Sequence, residues 1–355
     1  MDEWMDGCVE LCAQTPCSYL RSIPKQAPNP NMVRLLITGG YGFIGSNFLN
    51  HYVPTSNLER IINIDAMYYS ASESHVLPSI RADPRYRHYA INLQDRAAVE
   101  KVLRDERPTH VIHFAAQSHV QRSFDDSLSF TYDNVLGTHI LIECCRVYGD
   151  IQKFIHVSTD EVYGESMNTV DELHKTETSV LCPTNPYAAT KAAAELIVQS
   201  YAHSYKMPII ITRGNNVYGP NQHCEKVIPR FIQQLQRGEK ITLQGDGSAV
   251  RGFLHARDTA DAFAVILEKG VVGEIYNIGT DEEYSILTLG KLLIKSIRNT
   301  DMYDDWITTI PDRPFNDQRY YISTKKLEDL GWTRKINFLE GLAELVRRSS
   351  SCPSV

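Results

Sequence analysis

The sequence of 355 residues lacks several features that mark specialised classes of protein. No run approaches the roughly 18 consecutive apolar residues that a membrane span requires, so we expect no transmembrane segment. Basic residues are not in excess, because 36 Lys and Arg stand against 43 Asp and Glu. The resulting net charge of −7 argues against a large nucleic-acid surface. The eight cysteines form no paired CxxC pattern. We therefore expect no metal, no nucleic acid and no membrane as partners.

The first 31 residues also lack the signature of a secretory signal. Asp2 and Glu3 stand where such a peptide is basic, and no apolar core of about 7–15 residues follows. We predict that residues 1–31 are a poorly ordered, proline-rich extension and that residues 348–355 are a similar tail. Cysteines that are expected to be free thiols, together with the absence of a secretory signal peptide, favour a reducing compartment. We therefore expect a cytoplasmic protein.

Short apolar runs alternate with longer segments of helical spacing. The runs predicted to be buried strands are 33–38, 60–64, 110–114, 154–157 and 209–212. The segments predicted to be helices are 96–107, 137–148 and 187–205. Such alternation predicts right-handed βαβ units and therefore a doubly wound α/β fold with a mostly parallel sheet.

The segments beyond Tyr218 are shorter and more polar. They are predicted to be a helix at 227–237, a strand at 274–278 and a helix at 324–330. We interpret this part as a smaller C-terminal α/β lobe that closes over the carboxyl edge of the sheet.

Three glycines lie directly between the first strand and the following helix. Gly39, Gly42 and Gly45 allow a tight turn and a close approach of the backbone to a pyrophosphate at the helix N-terminus. Asp65 ends the next strand, where a carboxylate accepts hydrogen bonds from both ribose hydroxyls of NAD. We therefore predict a Rossmann domain that binds NAD rather than NADP, although Asp65 would also serve as a plain strand cap. The other residues of the predicted NAD site are Phe43, Ile44, Asn92, Leu93, Ala115, Ala116 and Gln117.

Tyr187 and Lys191 stand four residues apart near the start of a predicted helix, so their side chains share one face. A lysine ammonium beside a tyrosine hydroxyl favours the phenolate, and an oxidised nicotinamide would add to this effect. Together they would lower the tyrosine pKa from about 10. The pair is a candidate base and part of the NAD site, although this spacing also occurs by chance.

Thr159, Asp160 and Glu161 follow a predicted strand directly, at the edge where α/β sheets bind ligands. When two carboxyl groups lie in different environments, their pKa values differ. One then remains a protonated acid while the other is an ionised base. A solvated acidic turn is the alternative interpretation. The presence of Tyr187 and Lys191 favours the catalytic one.

Together, these motifs resemble those of the extended short-chain dehydrogenase/reductase family, over roughly residues 33–347. The glycine motif, the Tyr187–Lys191 pair and the stretch 213–220 are similar to the family pattern, and Thr159-Asp160-Glu161 is similar to the nucleotide-sugar 4,6-dehydratases within it. Related epimerases usually lack this acid pair. The resemblance implies an NAD-binding Rossmann domain with the catalytic residues over 32–215. It also implies a mainly nucleotide-sugar-binding lobe over 216–347, some of whose segments return to the sheet.

The resemblance further implies redox-neutral dehydration of a nucleoside-diphosphoglucose, with transient hydride transfer to bound NAD. Tyr187, assisted by Thr159 and Lys191, would take the O4 proton. Glu161 would remove the C5 hydrogen, and Asp160 would protonate the departing C6 hydroxyl. The product would be the NDP-4-keto-6-deoxyglucose.

The resemblance also implies a set of substrate-binding residues: Ser118, Asn216, Glu225, Lys226, Arg251, Asn277, Arg313 and Asn316. The two arginines are expected to clamp the diphosphate, although exposed surface arginines would fit the same pattern. The stretches around Gln117, 213–222 and 313–320 resemble plant and other eukaryotic UDP-glucose enzymes more than bacterial dTDP-glucose enzymes. UDP-glucose is therefore expected ahead of dTDP-glucose. Because one methyl group discriminates by only about 1–3 kcal/mol, tolerance of both is expected.

Two other functions remain open. The chain would be another family enzyme, a 4-epimerase or a decarboxylase, if its reaction releases no water. It would be a catalytically silent NAD-binding protein if the fold is used without its chemistry, and the intact catalytic set argues against this. The family generally forms homodimers through helices beside the Tyr187 helix, so a homodimer is expected. Small residues such as Ala188 and Ala192 would suit that interface or burial within the chain.

Overall fold

Strands and helices alternate along most of the chain. The computed structural model describes residues 32–166 and 174–350, so the predicted extension at 1–31 lies outside the described residues. The strands in these residues are, in chain order, β1 (Arg34–Thr38), β2 (Arg60–Ile64), β3 (Tyr86–Tyr89), β4 (His110–His113), β5 (Lys153–Thr159), β6 (Ile209–Gly214), β7 (Asn216–Tyr218), β8 (Ile241–Gln244), β9 (Val250–His255), β10 (Ile275–Ile278), β11 (Glu283–Ser285) and β12 (Ile307–Ile310).

Helices follow most of these strands. The α-helices in the described residues are α1 (Phe43–Tyr52), α2 (Pro78–Arg81), α3 (Arg96–Glu106), α4 (Val120–Asp125), α5 (Ser127–Phe130), α6 (Gly137–Tyr148), α7 (Pro186–Tyr205), α8 (Val227–Gln236), α9 (Ala256–Lys269), α10 (Ile286–Arg298), α11 (Lys325–Glu328) and α12 (Phe338–Ser350). A π-helical turn at Thr131–Leu136 joins α5 to α6. A 3₁₀ turn at Asp160–Tyr163 follows β5.

Seven strands form one sheet in the order β10-β6-β5-β4-β1-β2-β3, and every neighbouring pair is parallel. The chain runs from β1 outward to β3 and then returns to the other side of β1 at β4. This reversal opens a crevice at the carboxyl ends of β1 and β4, the place where doubly wound sheets bind ligands. The fold therefore confirms the predicted doubly wound α/β architecture.

Apolar side chains cover the large sheet on both faces. On one face α1 and α9 pack together through Phe48, Leu49 and Phe263. On the other face α3, α6 and α7 contribute residues such as Leu141 and Val198. Because the strands are buried on both sides, their sequences are continuous apolar runs. These runs made the strands recognisable in the sequence.

The C-terminal part has a core of its own. A three-stranded sheet (β11-β9-β7) and a two-stranded sheet (β12-β8) lie with α8, α10 and α12 around Phe231, Leu235, Leu293 and Phe338. Strand β10 leaves this lobe and pairs with β6 in the large sheet. The division of the chain at residues 215 and 216 stays a prediction.

Several predicted boundaries differ from the structure. The predicted helix 96–107 ends at Glu106, because Arg107 takes a left-handed conformation that closes the last turn. The predicted helix 324–330 is only the single turn of α11. Helix α12 continues to Ser350, so residues 348–350 are not part of an unstructured tail, and 351–355 lie outside the described residues. The strands β3, β7, β8, β9, β11 and β12 were not predicted, because none of them contains an apolar run or an alternation long enough to be distinguished from a loop.

Candidate active site

Three cavities adjoin the carboxyl ends of the central strands. The first, of about 240 Å³, lies above the glycine turn and is called the glycine-turn cavity. Every residue of the predicted NAD site lines it: Gly39, Gly42, Phe43, Ile44, Gly45, Asp65, Asn92, Leu93, Ala115, Ala116, Gln117, Tyr187 and Lys191. The structure therefore brings together residues from five separate stretches of the sequence.

The glycine turn depends on the absence of side chains at two positions. Gly39 has a φ of +72°, and a Cβ on it would lie 2.8 Å from the backbone of Ala115. A Cβ on Gly45 would overlap the carbonyl oxygen of Gly39, well inside van der Waals contact. Helix α1 begins directly after this turn, and its N-cap Gly42 offers no side-chain acceptor to the first amide groups. A helix N-terminus of this kind is a site for phosphate groups.

Asp65 is held in place at the end of β2 by two backbone amides. Its Oδ2 accepts from the N–H of Tyr41 at 2.9 Å, and its Oδ1 accepts from the N–H of Met67 at 2.8 Å. Each carboxylate oxygen keeps a further lone pair. The fixed carboxylate can therefore accept hydrogen bonds from a pair of ligand hydroxyl groups.

The second cavity, of about 320 Å³, is called the arginine cavity. Seven of the eight predicted substrate-binding residues line it: Ser118, Asn216, Glu225, Lys226, Arg251, Arg313 and Asn316. A third cavity of about 150 Å³, the carboxylate cavity, is lined by Thr159, Asp160, Glu161 and Tyr187. Lys226 lines all three cavities, and Tyr187 lines the first and third, so the cavities adjoin one another.

Asn277 is not among the described residues that line these cavities. It lies on β10 with no exposed surface. Its Oδ1 accepts from the hydroxyl of Tyr163 at 2.8 Å, and its Nδ2 donates to the carbonyl oxygens of Lys175 and Ser323. A buried amide with all these partners is part of the packing, so the structure does not place Asn277 with the other predicted substrate residues.

Asp160 is buried at the end of β5, with 2 % of its surface exposed. Its Oδ2 accepts from Asn215 Nδ2 at 2.6 Å, and its Oδ1 accepts from the hydroxyl of Thr159 at 3.1 Å. Burial, together with the negative charge of Glu161, raises the pKa of Asp160 to about 7. A carboxyl group with this pKa is substantially protonated at neutral pH and can donate a proton.

Glu161 is supported by two different side chains. Its Oε2 accepts from Asn185 Nδ2 at 3.0 Å and lies 3.4 Å from the hydroxyl oxygen of Tyr320. Burial raises the pKa of Glu161, whereas the hydrogen bond from Asn185 and the charge of Arg251 oppose this rise. Two adjacent carboxyl groups therefore have separate partners, which is the condition for an acid and a base side by side.

Tyr187 and Lys191 lie on α7, and both are buried. The ammonium of Lys191 donates to the carbonyl oxygen of Val157 at 2.7 Å, and burial lowers the pKa of Lys191 to about 8. In the protein by itself, burial and the charges of Glu161 and Asp160 raise the pKa of Tyr187, while a hydrogen bond with Thr159 acts in the opposite direction. The predicted lowering of the Tyr187 pKa is therefore not produced by the chain alone.

Arg251 and Arg313 line the arginine cavity near these carboxyl groups. Arg251 donates to the carbonyl oxygens of Val250 and Asp317, each at 2.8 Å, and Arg313 donates through Nε to Gln244 at 2.9 Å. Among the described residues, neither guanidinium forms a salt bridge with a carboxylate. The cavity therefore presents positive charge that suits an anionic ligand.

The comparison with protein families agrees with this arrangement. A model described as GDP-mannose 4,6 dehydratase matches residues 36–345. The chain belongs to this family.

Members of the family with known names are similar over most of this chain. The chain is 44 % identical over 311 residues to a trifunctional UDP-glucose 4,6-dehydratase/UDP-4-keto-6-deoxy-D-glucose 3,5-epimerase/UDP-4-keto-L-rhamnose-reductase of Arabidopsis thaliana, covering 87 % of this chain and 45 % of that protein. The chain thus spans about half the length of this relative. It is 43 % identical over 322 residues to the dTDP-D-glucose 4,6-dehydratase of Bos taurus, covering 90 % and 89 % of the two chains.

A solved structure of the family is similar in fold. It is the dTDP-glucose 4,6-dehydratase DesIV of Streptomyces venezuelae with NAD bound. The TM-score is 0.82 at 37 % sequence identity, and the similarity covers 89 % of this chain and 96 % of that one.

Three residues that contact the two catalytic carboxyl groups or their partners were not identified from the sequence. Asn215 and Asn185 hold the two carboxyl groups, and Tyr320 contacts Glu161 while donating to Asp317. In the sequence, Asn185 was recognisable only as the N-cap of α7, where its Oδ1 accepts from the N–H of Ala188. The other two lie in the family-like stretches 213–222 and 313–320, but nothing in those stretches shows that they contact the carboxyl groups.

The described part of the chain comprises residues 32–166 and 174–350. Within these ranges no helix is both long and apolar enough to cross a membrane. No group of three or more His, Cys, Asp or Glu side chains in the same ranges is arranged to hold a metal ion.

Proposed function

We propose that the protein catalyses the redox-neutral dehydration of UDP-glucose or dTDP-glucose to the NDP-4-keto-6-deoxyglucose. The observation that carries this proposal is the pair of adjacent carboxyl groups beside Tyr187, of which Asp160 is buried and Glu161 is half-buried. Burial and Glu161 raise the pKa of Asp160 to about 7, so one carboxyl group of the pair can hold a proton at neutral pH. Dehydration needs an acid and a base at neighbouring carbon atoms, and these two residues supply both.

NAD is proposed as the cofactor, and the glycine-turn cavity supports it. The turn at Gly39, Gly42 and Gly45 brings free amide groups of α1 to the cavity, which suits a pyrophosphate. Asp65 at the end of β2 suits the two hydroxyl groups of a ribose. Bound NAD would supply a two-electron acceptor and donor, so that the sugar is oxidised at C4 first and reduced at C6 last.

Each proton transfer is assigned to a residue of the carboxylate cavity. Tyr187 takes the proton of the sugar O4 hydroxyl, with Thr159 as its hydrogen-bond partner, and Lys191 lines the glycine-turn cavity together with Tyr187. Glu161 removes the C5 proton, which the neighbouring carbonyl group makes acidic. Asp160 donates a proton to the C6 hydroxyl, which departs as water. When hydride returns to C6, Glu161 gives its proton back to C5. The proton that Tyr187 took from O4 replaces the one that Asp160 lost, so all three groups end in their starting states.

The arginine cavity is proposed to hold the nucleoside diphosphate. Arg251 and Arg313 present guanidinium groups to the cavity, and their charges suit the diphosphate. The relatives include enzymes named for UDP-glucose and for dTDP-glucose. UDP-glucose remains the expected substrate because of the stretches around Gln117 and residues 313–320, with dTDP-glucose tolerated.

Mass spectrometry of UDP-glucose and dTDP-glucose, each incubated with the protein and NAD, tests the proposal. The expected result is loss of one water molecule with no net formation of NADH, and the relative rates rank the two nucleotides. An unchanged mass with a new sugar configuration would instead identify an epimerase. An unchanged mass and configuration with both substrates would contradict the proposed activity.

We also propose a homodimer formed through α7 and the helices beside it. Ala188 is buried within the chain, so it does not contribute to such an interface. The exposed side of α7 carries Leu196, with 60 % of its surface exposed, and Tyr205. Leu128 and Tyr132 add further exposed apolar surface on α5 and the turn that follows. Sedimentation should give a dimer for the wild type and a monomer for Leu196→Glu, and a monomeric wild type would contradict the proposal.

A cytoplasmic location is proposed on the thiol chemistry. Cys144 and Cys145 are buried free thiols on α6. Cys182 and Cys224 are exposed and are also free, as expected for a protein in a reducing compartment. Fractionation of cells that express the tagged full chain tests this location.

A further inference from the structure

Arg230 is a third arginine of the arginine cavity, and the sequence analysis did not identify it. It lies on α8, one helical turn after Lys226, and both residues line the cavity. Its Nη2 donates to the carbonyl oxygen of Thr242 at a long distance of 3.5 Å. Its Nε is buried, and no described residue supplies an acceptor for it. A buried guanidinium N–H with no acceptor is costly unless a ligand supplies one.

The charges around Arg230 are unfavourable in the protein alone. Burial and the positive charge of Arg313 lower the pKa of Arg230. Burial and the charge of Arg251 likewise lower the pKa of Arg313. Among the described residues, no carboxylate forms a salt bridge with Arg230. Arg313 thus repels both Arg230 and Arg251, while Glu161 and Asp312 offset part of the repulsion at Arg313, and a bound anion would stabilise all three guanidinium groups.

The contacts of the three arginines give their order. Arg251 lies 4.8 Å from the ring of Tyr320, which contacts Glu161, whereas Arg313 and Arg230 bond to Gln244 and Thr242 on β8. Arg251 lowers the pKa of Glu161, and Glu161 acts on Arg313, so these two arginines lie near the catalytic carboxyl groups. Arg230 is influenced by Arg313 alone among the charged groups. The row therefore leads away from the carboxyl groups and ends at Arg230.

We propose that Arg230 completes a three-arginine site for the substrate diphosphate and contacts the phosphate that is nearer the nucleoside. This inference rests on the proposed function, because it takes a nucleoside diphosphate as the ligand. A diphosphate diester carries one negative charge on each phosphate, and a planar guanidinium donates two parallel hydrogen bonds to one phosphate. Arg230 thus determines affinity for the diphosphate rather than the chemistry at the sugar.

Binding measurements with three ligands test this role without depending on turnover. Calorimetry with UDP and with inorganic pyrophosphate, and ligand-observed NMR with uridine, are compared for the wild type and Arg230→Met. We expect Kd to rise at least about tenfold for UDP and pyrophosphate, with uridine unchanged, as for loss of a charge-assisted hydrogen bond. Arg230→Lys should lose less than Arg230→Met, since it keeps the charge but not the planar fork. Arg237→Met, at the exposed end of the same helix, is the matched control and should bind all three ligands like the wild type.

Thermal unfolding distinguishes a ligand role from a structural one. Ligand-free Arg230→Met should unfold at the same or a higher temperature than the wild type, because a repulsive charge is removed, and its stabilisation by UDP should be smaller. Unchanged UDP and pyrophosphate affinities, or weaker UDP binding with unchanged pyrophosphate binding, would overturn the inference while leaving the proposed function intact. A wild type that binds neither UDP nor pyrophosphate would overturn both.

Discussion

Replacement of Asp160 by Asn should make the protein more stable and less active, and the gain in stability should depend on pH. In the folded protein the Asp160 carboxyl has a pKa of about 7, against an ordinary value of 3.8. Between these two values the folded state holds a proton that the unfolded state has released, so the free energy of unfolding falls as the pH rises. The difference of about three pKa units, at ~1.36 kcal/mol each, amounts to about 4 kcal/mol above pH 7. Asn has no such cost, because it carries no charge.

The substitution is suited to this test because the local hydrogen bonds can be kept. The Asn side-chain oxygen can accept from Asn215, while its NH₂ group donates to Thr159. Urea unfolding of the wild type and Asp160→Asn is measured at pH 4.5 and pH 8. We expect a gain of about 1 kcal/mol at the lower pH and about 4 kcal/mol at the higher one. Turnover should fall about 10²–10⁴-fold, the usual contribution of a general acid.

The control is Asp304→Asn, which removes a carboxylate from an exposed 3₁₀ turn. Its effect on stability should be equal at the two pH values. If the gain from Asp160→Asn were also equal at pH 4.5 and pH 8, the assignment of Asp160 as a protonated buried acid would be wrong.

Three further substitutions test Glu161 as the base, Asn215 as a hydrogen-bond partner of Asp160, and the core of the C-terminal lobe. Glu161→Gln should lower kcat about 10²–10⁴-fold and abolish exchange of the substrate C5 hydrogen with deuterated water, and retained exchange would exclude Glu161 as the base. Asn215→Ala removes a hydrogen bond that lowers the pKa of Asp160, so the alkaline limb of the kcat profile should move to higher pH; a limb that stays in place would show that Asn215 has no such influence. Leu293→Ala, in the core of the C-terminal lobe, should cost about 2–5 kcal/mol in urea unfolding, whereas exposed Leu339→Ala should cost little.

Local sequence was sufficient for the parts of the site that are built from contiguous residues. The strand, glycine turn and helix at 34–52 were predicted because the apolar run, the spacing of the glycines and the start of α1 are contiguous in the sequence. Asp65 and the Tyr187–Lys191 pair were predicted for the same reason, since strand ends and i, i+4 positions are local geometry. Asn277 shows the limit of this reasoning. Its position in the sequence was suitable, but packing against Tyr163 keeps it away from the cavities.

The sequence by itself determined the doubly wound sheet, the glycine turn and the identity of the acid pair at Asp160 and Glu161. Only the tertiary structure decided how that pair is held, because Asn215 and Tyr320 reach it from 55 and 159 residues further along the chain. It also decided the pKa of Asp160, since removal from water is a property of the packed protein and not of any short stretch of sequence. The same holds for Arg230, whose place beside Arg313 follows from the packing of α8 within the C-terminal lobe.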